Sequence, residues 1–146
     1  MKINWEAEII IEIFDRKKLA KIQTIKFESD FILKTNEFKY CENNKSYKSN
    51  KHLKSNENDY GDLIVADLNF DGKEDIAIKR EEGGNGGPVY NFYLQENQQF
   101  IYDKYLSNEM SYFPEYINTK TKMLHVKVRV DTFNPRGNIL CIFRYQ

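Results

Sequence analysis

An all-β chain, folded as an antiparallel β-sandwich of about eight strands, is what this sequence predicts. Three observations lead there. Short apolar runs recur along the 146 residues, several with polar residues alternating at period two. Clusters rich in Gly, Asn, Asp and Pro separate the runs at short spacing, as turns between strands do. No stretch sustains the period of an amphipathic helix. With 40% hydrophobic residues, including ten Phe and ten Tyr, the chain can build one sizeable core, so residues 1–146 read as a single domain.

Residues 5–14 (WEAEIIIEIF) place Trp5, Ala7, Ile9, Ile11 and Ile13 on one face and Glu6, Glu8 and Glu12 on the other. Residues 15–18 (DRKK) form a polar turn, and residues 19–28 return as the second strand of a hairpin. Short apolar stretches follow at 31–33 and 38–41. Residues 42–60 are rich in Asn, Ser and Lys and read as a solvated loop carrying an exposed His52. Residues 63–68 and 75–79 are strands on either side of an acidic loop, and 89–94 (VYNFYL) is an aromatic strand. Glu96, Asn97 and Gln98 turn the chain into a return strand over 100–106. Pro114 makes 111–117 an edge or irregular strand. In 124–130, Leu124, Val126, Val128 and Val130 line one face, which puts His125 on the other. Residues 139–145 close the chain as an almost wholly apolar strand, expected to be central or covered on both faces.

The charge balance narrows the function classes. Lys plus Arg equal Asp plus Glu at 22 each, so the strong positive field of a nucleic-acid binder is absent. No apolar run reaches the roughly 20 residues of a membrane span. The first residues, MKINWEAEIIIEIFD, do not resemble a signal peptide, because Glu6, Glu8 and Glu12 break the apolar run. The chain therefore reads either as cytoplasmic or as a mature exported domain. Cys41 and Cys141 form no C-x-x-C pair, which disfavours zinc; two separate thiols and one long-range disulfide both stay open.

The chemistry concentrates in residues 63–79 (LIVADLNFDGKEDIAIK). Asp67, Asn69, Asp71, Gly72 and Asp75 spell D-x-N-x-D-G-x-x-D. Three carboxylates and a carboxamide this close repel one another unless a cation joins them, and calcium takes oxygen ligands from alternating loop positions. The expected ligands of Ca2+ are the side chains of Asp67, Asn69, Asp71 and Asp75 with the Lys73 carbonyl. An EF-hand is disfavoured, since its twelfth position is a glutamate and here it is Ile78, and since the flanks are strands rather than helices. Gly83, Gly84, Gly86 and Gly87, with Asn85 among them, make a glycine-rich loop that lacks the spacing of a P-loop or dinucleotide site. No Ser-His-Asp or Cys-His set stands out, so an enzyme is not expected.

The acidic loop resembles the calcium loops of FG-GAP/VCBS repeats, here present once. Together with I-A-I, the glycine-rich loop and Y-x-F-Y-L, it resembles bacterial periplasmic i-type lysozyme inhibitors and related immunity proteins against peptidoglycan-hydrolase effectors. The similarity runs over Asp67 to Leu106 and the strands after it, roughly the last 85 residues. The family's inhibitory S-G-x-x-Y motif finds its best match at Gly86-Gly87-Pro88-Val89-Tyr90, with Gly86 in place of the serine. The resemblance implies a periplasmic partner of lysozyme-like hydrolases, contacting them through Gly84, Asn85, Gly86, Gly87 and Tyr90. A calcium-dependent adhesion or carbohydrate-binding module, with Tyr90, Tyr93 and Tyr112 stacking on sugar, is the alternative. Self-association as a homodimer stays open.

Overall fold

The structure is a computed structural model that describes residues 7–29, 44–54, 58–83, 86–129 and 138–145. Ten strands run through them: β1 (Ala7–Phe14), β2 (Lys21–Ser29), β3 (Asn44–Ser46), β4 (Leu63–Ala66), β5 (Asp75–Glu81), β6 (Val89–Glu96), β7 (Gln99–Tyr102), β8 (Tyr116–Asn118), β9 (Met123–Arg129) and β10 (Asn138–Arg144). The all-β expectation holds. The strands form three sheets, a β1-β2 hairpin, a five-stranded sheet in the order β3-β4-β5-β6-β7, and a three-stranded sheet in the order β10-β9-β8. Every pairing is antiparallel except β3 with β4. The stretches at 31–33 and 38–41 lie outside the described residues, as do Trp5 and Val130.

The five-stranded sheet is covered on both faces, and its sequence explains why. Side chains alternate across a strand, so a strand with one wet face alternates polar and apolar, whereas one buried twice is apolar nearly throughout. Asp75 to Lys79 and Tyr90 to Leu94 are buried at every position. Ala77, Tyr90, Phe92 and Leu94 face one core, with Leu124 and Val126 of the three-stranded sheet and Leu106, Met110, Phe113 and Ile117. Ile76, Ile78 and Tyr93 face a second core under the hairpin, with Ile25, Ile11, Ile13 and Phe27. Phe113 centres the first core, its ring 5.7 to 6.5 Å from those of Tyr47, Tyr60, Tyr90 and Phe92.

Two side chains of β2 tie the hairpin to the sheet: the Ser29 hydroxyl donates to the Arg80 carbonyl of β5, and Gln23 acts as a short strand against β7. The Gln23 amide donates to the Phe100 carbonyl at 2.7 Å and accepts from the Phe100 N–H at 2.8 Å. This satisfies backbone groups on β7, the last strand of its sheet.

Four segments depart from the sequence reading. Residues 42–60, expected as a solvated loop, supply β3 and the buried Asn58 and Tyr60, because Tyr60 packs into the first core. The strand expected over 100–106 stops at Tyr102. The N–H of Asp103 donates to the Phe92 carbonyl, and the Asp103 carboxylate accepts the Leu106 N–H at 2.7 Å. That bond starts a single π-helical turn, Leu106–Met110, whose Leu106, Ser107 and Met110 are buried. The strand expected over 111–117 shrinks to Tyr116–Asn118 because Phe113 and Pro114 turn into the core instead. The last strand, expected to be covered, is the outer strand of its sheet, with Ile139, Leu140 and Ile142 exposed. Among the described residues no helix is long and apolar enough to cross a membrane.

Residues 58–62 (NDYGD) stitch the layers with polar bonds. The Lys79 ammonium, its side chain 3% exposed, pairs with Asp59 at 2.9 Å and Asp62 at 3.0 Å. Burial opposes its charge, but the bonds to Asp59 and Asp62 outweigh burial and hold its pKa above the ordinary lysine value. Replacing one partner of a buried pair strands the other charge, which typically costs about 3–5 kcal/mol. Lys79→Met is expected to lower unfolding free energy at pH 7 by about that amount, read by urea denaturation. A loss under about 1 kcal/mol would show that the pair is not held as described.

Candidate functional site

The acidic loop spans residues 67–74 between β4 and β5, and its side chains fold back onto its own backbone. Phe70 and Gly72 adopt left-handed backbone angles (φ 63° and 83°), which lets the chain reverse within a few residues. The reversal turns N–H groups inward. Asp67 accepts from Asp71 N–H at 3.2 Å and Gly72 N–H at 3.0 Å, one on each carboxylate oxygen. Asn69 Oδ1 accepts from Asp71 N–H at 3.0 Å. Asp71 accepts from Lys73 N–H at 2.8 Å, and the Lys73 ammonium sits 3.1 Å from its other oxygen. The Lys73 N–H bond, with the Lys73 ammonium assisting, holds the Asp71 carboxyl below its ordinary pKa.

Asp75 is different in kind. It is wholly buried. Its Oδ2 accepts the Leu68 N–H at 2.8 Å and the Asn69 N–H at 3.4 Å, and its Oδ1 accepts the Gln95 N–H at 2.9 Å. Burial pushes its pKa up to about 6, against the pull of these three donors; the Asp67 charge adds to the rise. Asp75 therefore braces the loop's start to β6 from beneath, while Asp67, Asn69 and Asp71 lie in the loop above.

This donor set suits a hard cation. A carboxylate or carboxamide oxygen offers two acceptor directions. Each bonded oxygen of Asp67, Asn69 and Asp71 uses one of them, and Asp75 Oδ1 keeps one. Asp75 Oδ2 has both taken, so Asp75 could contribute through Oδ1 alone. Among the described residues, no three His, Cys, Asp or Glu side chains are drawn together in a ligating cluster. A cation held by Asp67, Asn69, Asp71 and Asp75 would draw their free lone pairs inward.

The glycine-rich turn stands between β5 and β6. Gly84 and Asn85 lie outside the described residues. Gly83 and Gly87 have left-handed φ angles, 66° and 92°. Gly86 N–H reaches back to the Gly83 carbonyl at 3.3 Å, and a Cβ on Gly83 would run into the Gly87 carbonyl oxygen. Asn58 holds the turn from outside, its amide donating to the Gly86 carbonyl at 3.3 Å and the Lys127 carbonyl at 2.9 Å.

Tyr90, expected as the exposed anchor of this turn, is a core residue. Its side chain is fully buried. The hydroxyl donates to the Gly61 carbonyl at 3.0 Å and accepts the Tyr60 N–H at 3.4 Å. Alternation explains the correction: Tyr90 shares its face with Phe92 and Leu94, so it points into the first core. The aromatic beside the turn is Tyr112, half-buried, whose hydroxyl occupies the space a side chain at position 86 would need. A Cβ on Gly86 would lie 2.7 Å from the Tyr112 hydroxyl oxygen. Tyr112 is 26 residues away in sequence, and no local pattern links the two. Tyr90 N–H to the Ser111 carbonyl, 2.8 Å, brings them together.

Lys79, Asn58 and Asp75 were also under-read. Lys79 had a usable signal, as a cation directly after the apolar run Ile76–Ile78 and on the register of Ala77. His52 is exposed, as expected, and stacks on Tyr116 with ring centroids 4.4 Å apart, whereas His125 is half-buried, packs edge-on against the same ring and has its Nε2 buried without a hydrogen-bond partner among the described residues.

The brace and the loop acids separate experimentally. In excess chelator, Asp75→Ala leaves three backbone N–H groups unanswered, that of Leu68 buried, and is expected to cost about 3 kcal/mol, while Asp67→Ala, facing water, costs about 1. Equal losses in urea melts would place the two carboxylates in the same role.

Comparison with protein-family models, with curated proteins and with solved structures finds no match to this chain.

Proposed function

We propose that this chain is a non-enzymatic, calcium-binding inhibitor or immunity protein that blocks the active-site cleft of a lysozyme-like peptidoglycan hydrolase, working in the periplasm. The observation that carries the calcium half is the loop itself. Asp67, Asn69 and Asp71 lie within five residues on a loop closed over the buried Asp75, and each bonded oxygen of those three keeps an acceptor direction. Calcium would be bound by Asp67, Asn69, Asp71 and Asp75 with the Lys73 carbonyl. Its charge would offset the crowding of three carboxylates, one of them buried.

The inhibitor half rests on the resemblance and on the turn. A turn held by Asn58 from one side and by its own Gly86-to-Gly83 bond from the other loses little freedom on binding. Gly86 lacks the serine hydroxyl of the resembled motif, and Tyr112 brings a hydroxyl to the same place from another segment. Gly86, Gly87 and Tyr112 are then the contact residues, with Gly84 and Asn85 completing the loop.

One observation favours the carbohydrate-binding alternative. Tyr93, Tyr102, Arg80 and Asn91 line an open groove of about 520 Å³ beside β2. Tyr102 is 43% exposed, enough to offer a ring face to a sugar. Retention on immobilised peptidoglycan, abolished by Tyr102→Ala, is the result that would favour it.

Two measurements test the leading reading. Saturating calcium should raise the melting temperature, by about 4–8 °C per kcal/mol for a domain near 100 residues and somewhat less here. Asp71→Ala should lower the melting temperature more in calcium than in chelator, where only its bonds to Lys73 are lost; identical melting of the native chain with and without calcium would sink the metal reading. In a turbidity assay of cell-wall lysis against a panel of lysozymes, the native chain should slow at least one enzyme. Gly86→Ser, which displaces the Tyr112 hydroxyl but strains no backbone, should change that inhibition at least tenfold while leaving the melting temperature within a few degrees. No inhibition of any enzyme in the panel would count against the inhibitor reading and leave the calcium reading standing.

A further inference from the structure

The outer edge of β10 carries an inference independent of calcium and of the glycine turn. Edge strands in folded proteins are commonly blunted by charge, proline or a bulge, because an open row of N–H and C=O groups recruits other strands. β10 carries no proline and no bulge, and its one charged residue, Arg144, is its last. It pairs with β9 in unbroken register from Asn138↔Arg129 to Arg144↔Met123. Ile139, Leu140 and Ile142 are 51%, 52% and 55% exposed, so apolar side chains project from both faces of a strand whose far side is open among the described residues.

The residue order says what fits that edge. Antiparallel pairing of β10 with itself, about a two-fold axis through Cys141, sets Ile139 opposite the second copy's Phe143 and Leu140 opposite its Ile142. Register with β9 puts Ile139, Cys141 and Phe143 on the core-facing side and Leu140 and Ile142 on the outer side, so each facing pair is apolar and lies on one face. The only charged residue of β10, Arg144, falls at opposite ends of the pair, so like charges never face each other. We propose that two copies of this chain join through β10, merging their three-stranded sheets into one continuous six-stranded sheet. The contact is isologous and closes as a two-fold dimer, so it does not propagate into filaments.

Cys141 sits at the centre of this arrangement, and it reports on it. Directly opposed residues of an antiparallel pair have Cα atoms about 4.5–5.5 Å apart, within the range a disulfide spans. Mild oxidation by diamide, which takes up the two electrons and two protons released by the thiols, should link two chains through Cys141. Cys141→Ser should abolish the link, and Cys41→Ser should leave it. Light scattering after gel filtration under reducing conditions should give a dimer at about 100 μM, weakening towards monomer at about 1 μM. Ile142→Lys and, separately, Leu140→Lys should give monomers whose circular dichroism and melting match the native chain. A monomer at every concentration overturns the proposal. So does a disulfide between Cys41 and Cys141 of one chain, which would mean that the chain's own residues cover the edge. A dimer that survives both lysine variants and gives no Cys141 link overturns it too, by locating the interface elsewhere.

Discussion

The buried carboxylate of Asp75 is the constraint on which the local architecture depends. It stands at the first position of β5, where the chain leaves the acidic loop and enters a strand buried on both sides. A charge there is tolerable only if donors meet it, and three backbone N–H groups do, two from the loop's start and one from β6. Loop, β5 and β6 are thereby held as a unit. The loop cannot shift without stranding the carboxylate, and the carboxylate cannot be lost without stranding the N–H groups. A cation above it would act on a scaffold already braced from below.

The same logic of buried polar groups recurs further along β5. Lys79 is drawn into the first core by two aspartates from residues 58–62, and that segment also supplies the Asn58 amide that grips the glycine turn. The acidic loop and the glycine-rich turn therefore flank one strand. Asp75 anchors its first position and Lys79 its fifth, and only apolar residues lie between them. Whatever stiffens one end of β5 is transmitted along a strand packed on both faces, because such a strand has no free side towards which to relax.

Tyr90 and Tyr112 show how a site can be misread by one residue type. Both are tyrosines near the glycine turn, one by sequence and one by folding. Proximity in sequence favoured Tyr90, yet its register with Phe92 and Leu94 sends it inward, where its hydroxyl is consumed by Gly61 and Tyr60. Tyr112 arrives through a segment that forms no strand, carried to the turn by the bond between Ser111 and Tyr90. The absent side chain of Gly86 makes room for it. A glycine that looks permissive in the sequence is here a fitted gap.

The amino-acid sequence by itself determined the all-β class, most of the strand positions apart from β3, and the location of the acidic loop. These follow from local rules: side-chain alternation, turn residues, and the crowding of carboxylates within nine positions. The tertiary structure alone decided that the central sheet carries a core on each face, that β10 is an edge, and that Asp75 is a brace beneath the loop. It also decided that Tyr112 rather than Tyr90 stands at the glycine turn. The physical reason is common to all four. An apolar strand reads the same whether it is covered by one layer, two or a second chain, and a carboxylate or phenol reads the same whether it meets water or backbone donors from β6. Only the three-dimensional neighbours distinguish those cases, and they come from residues far away in the chain.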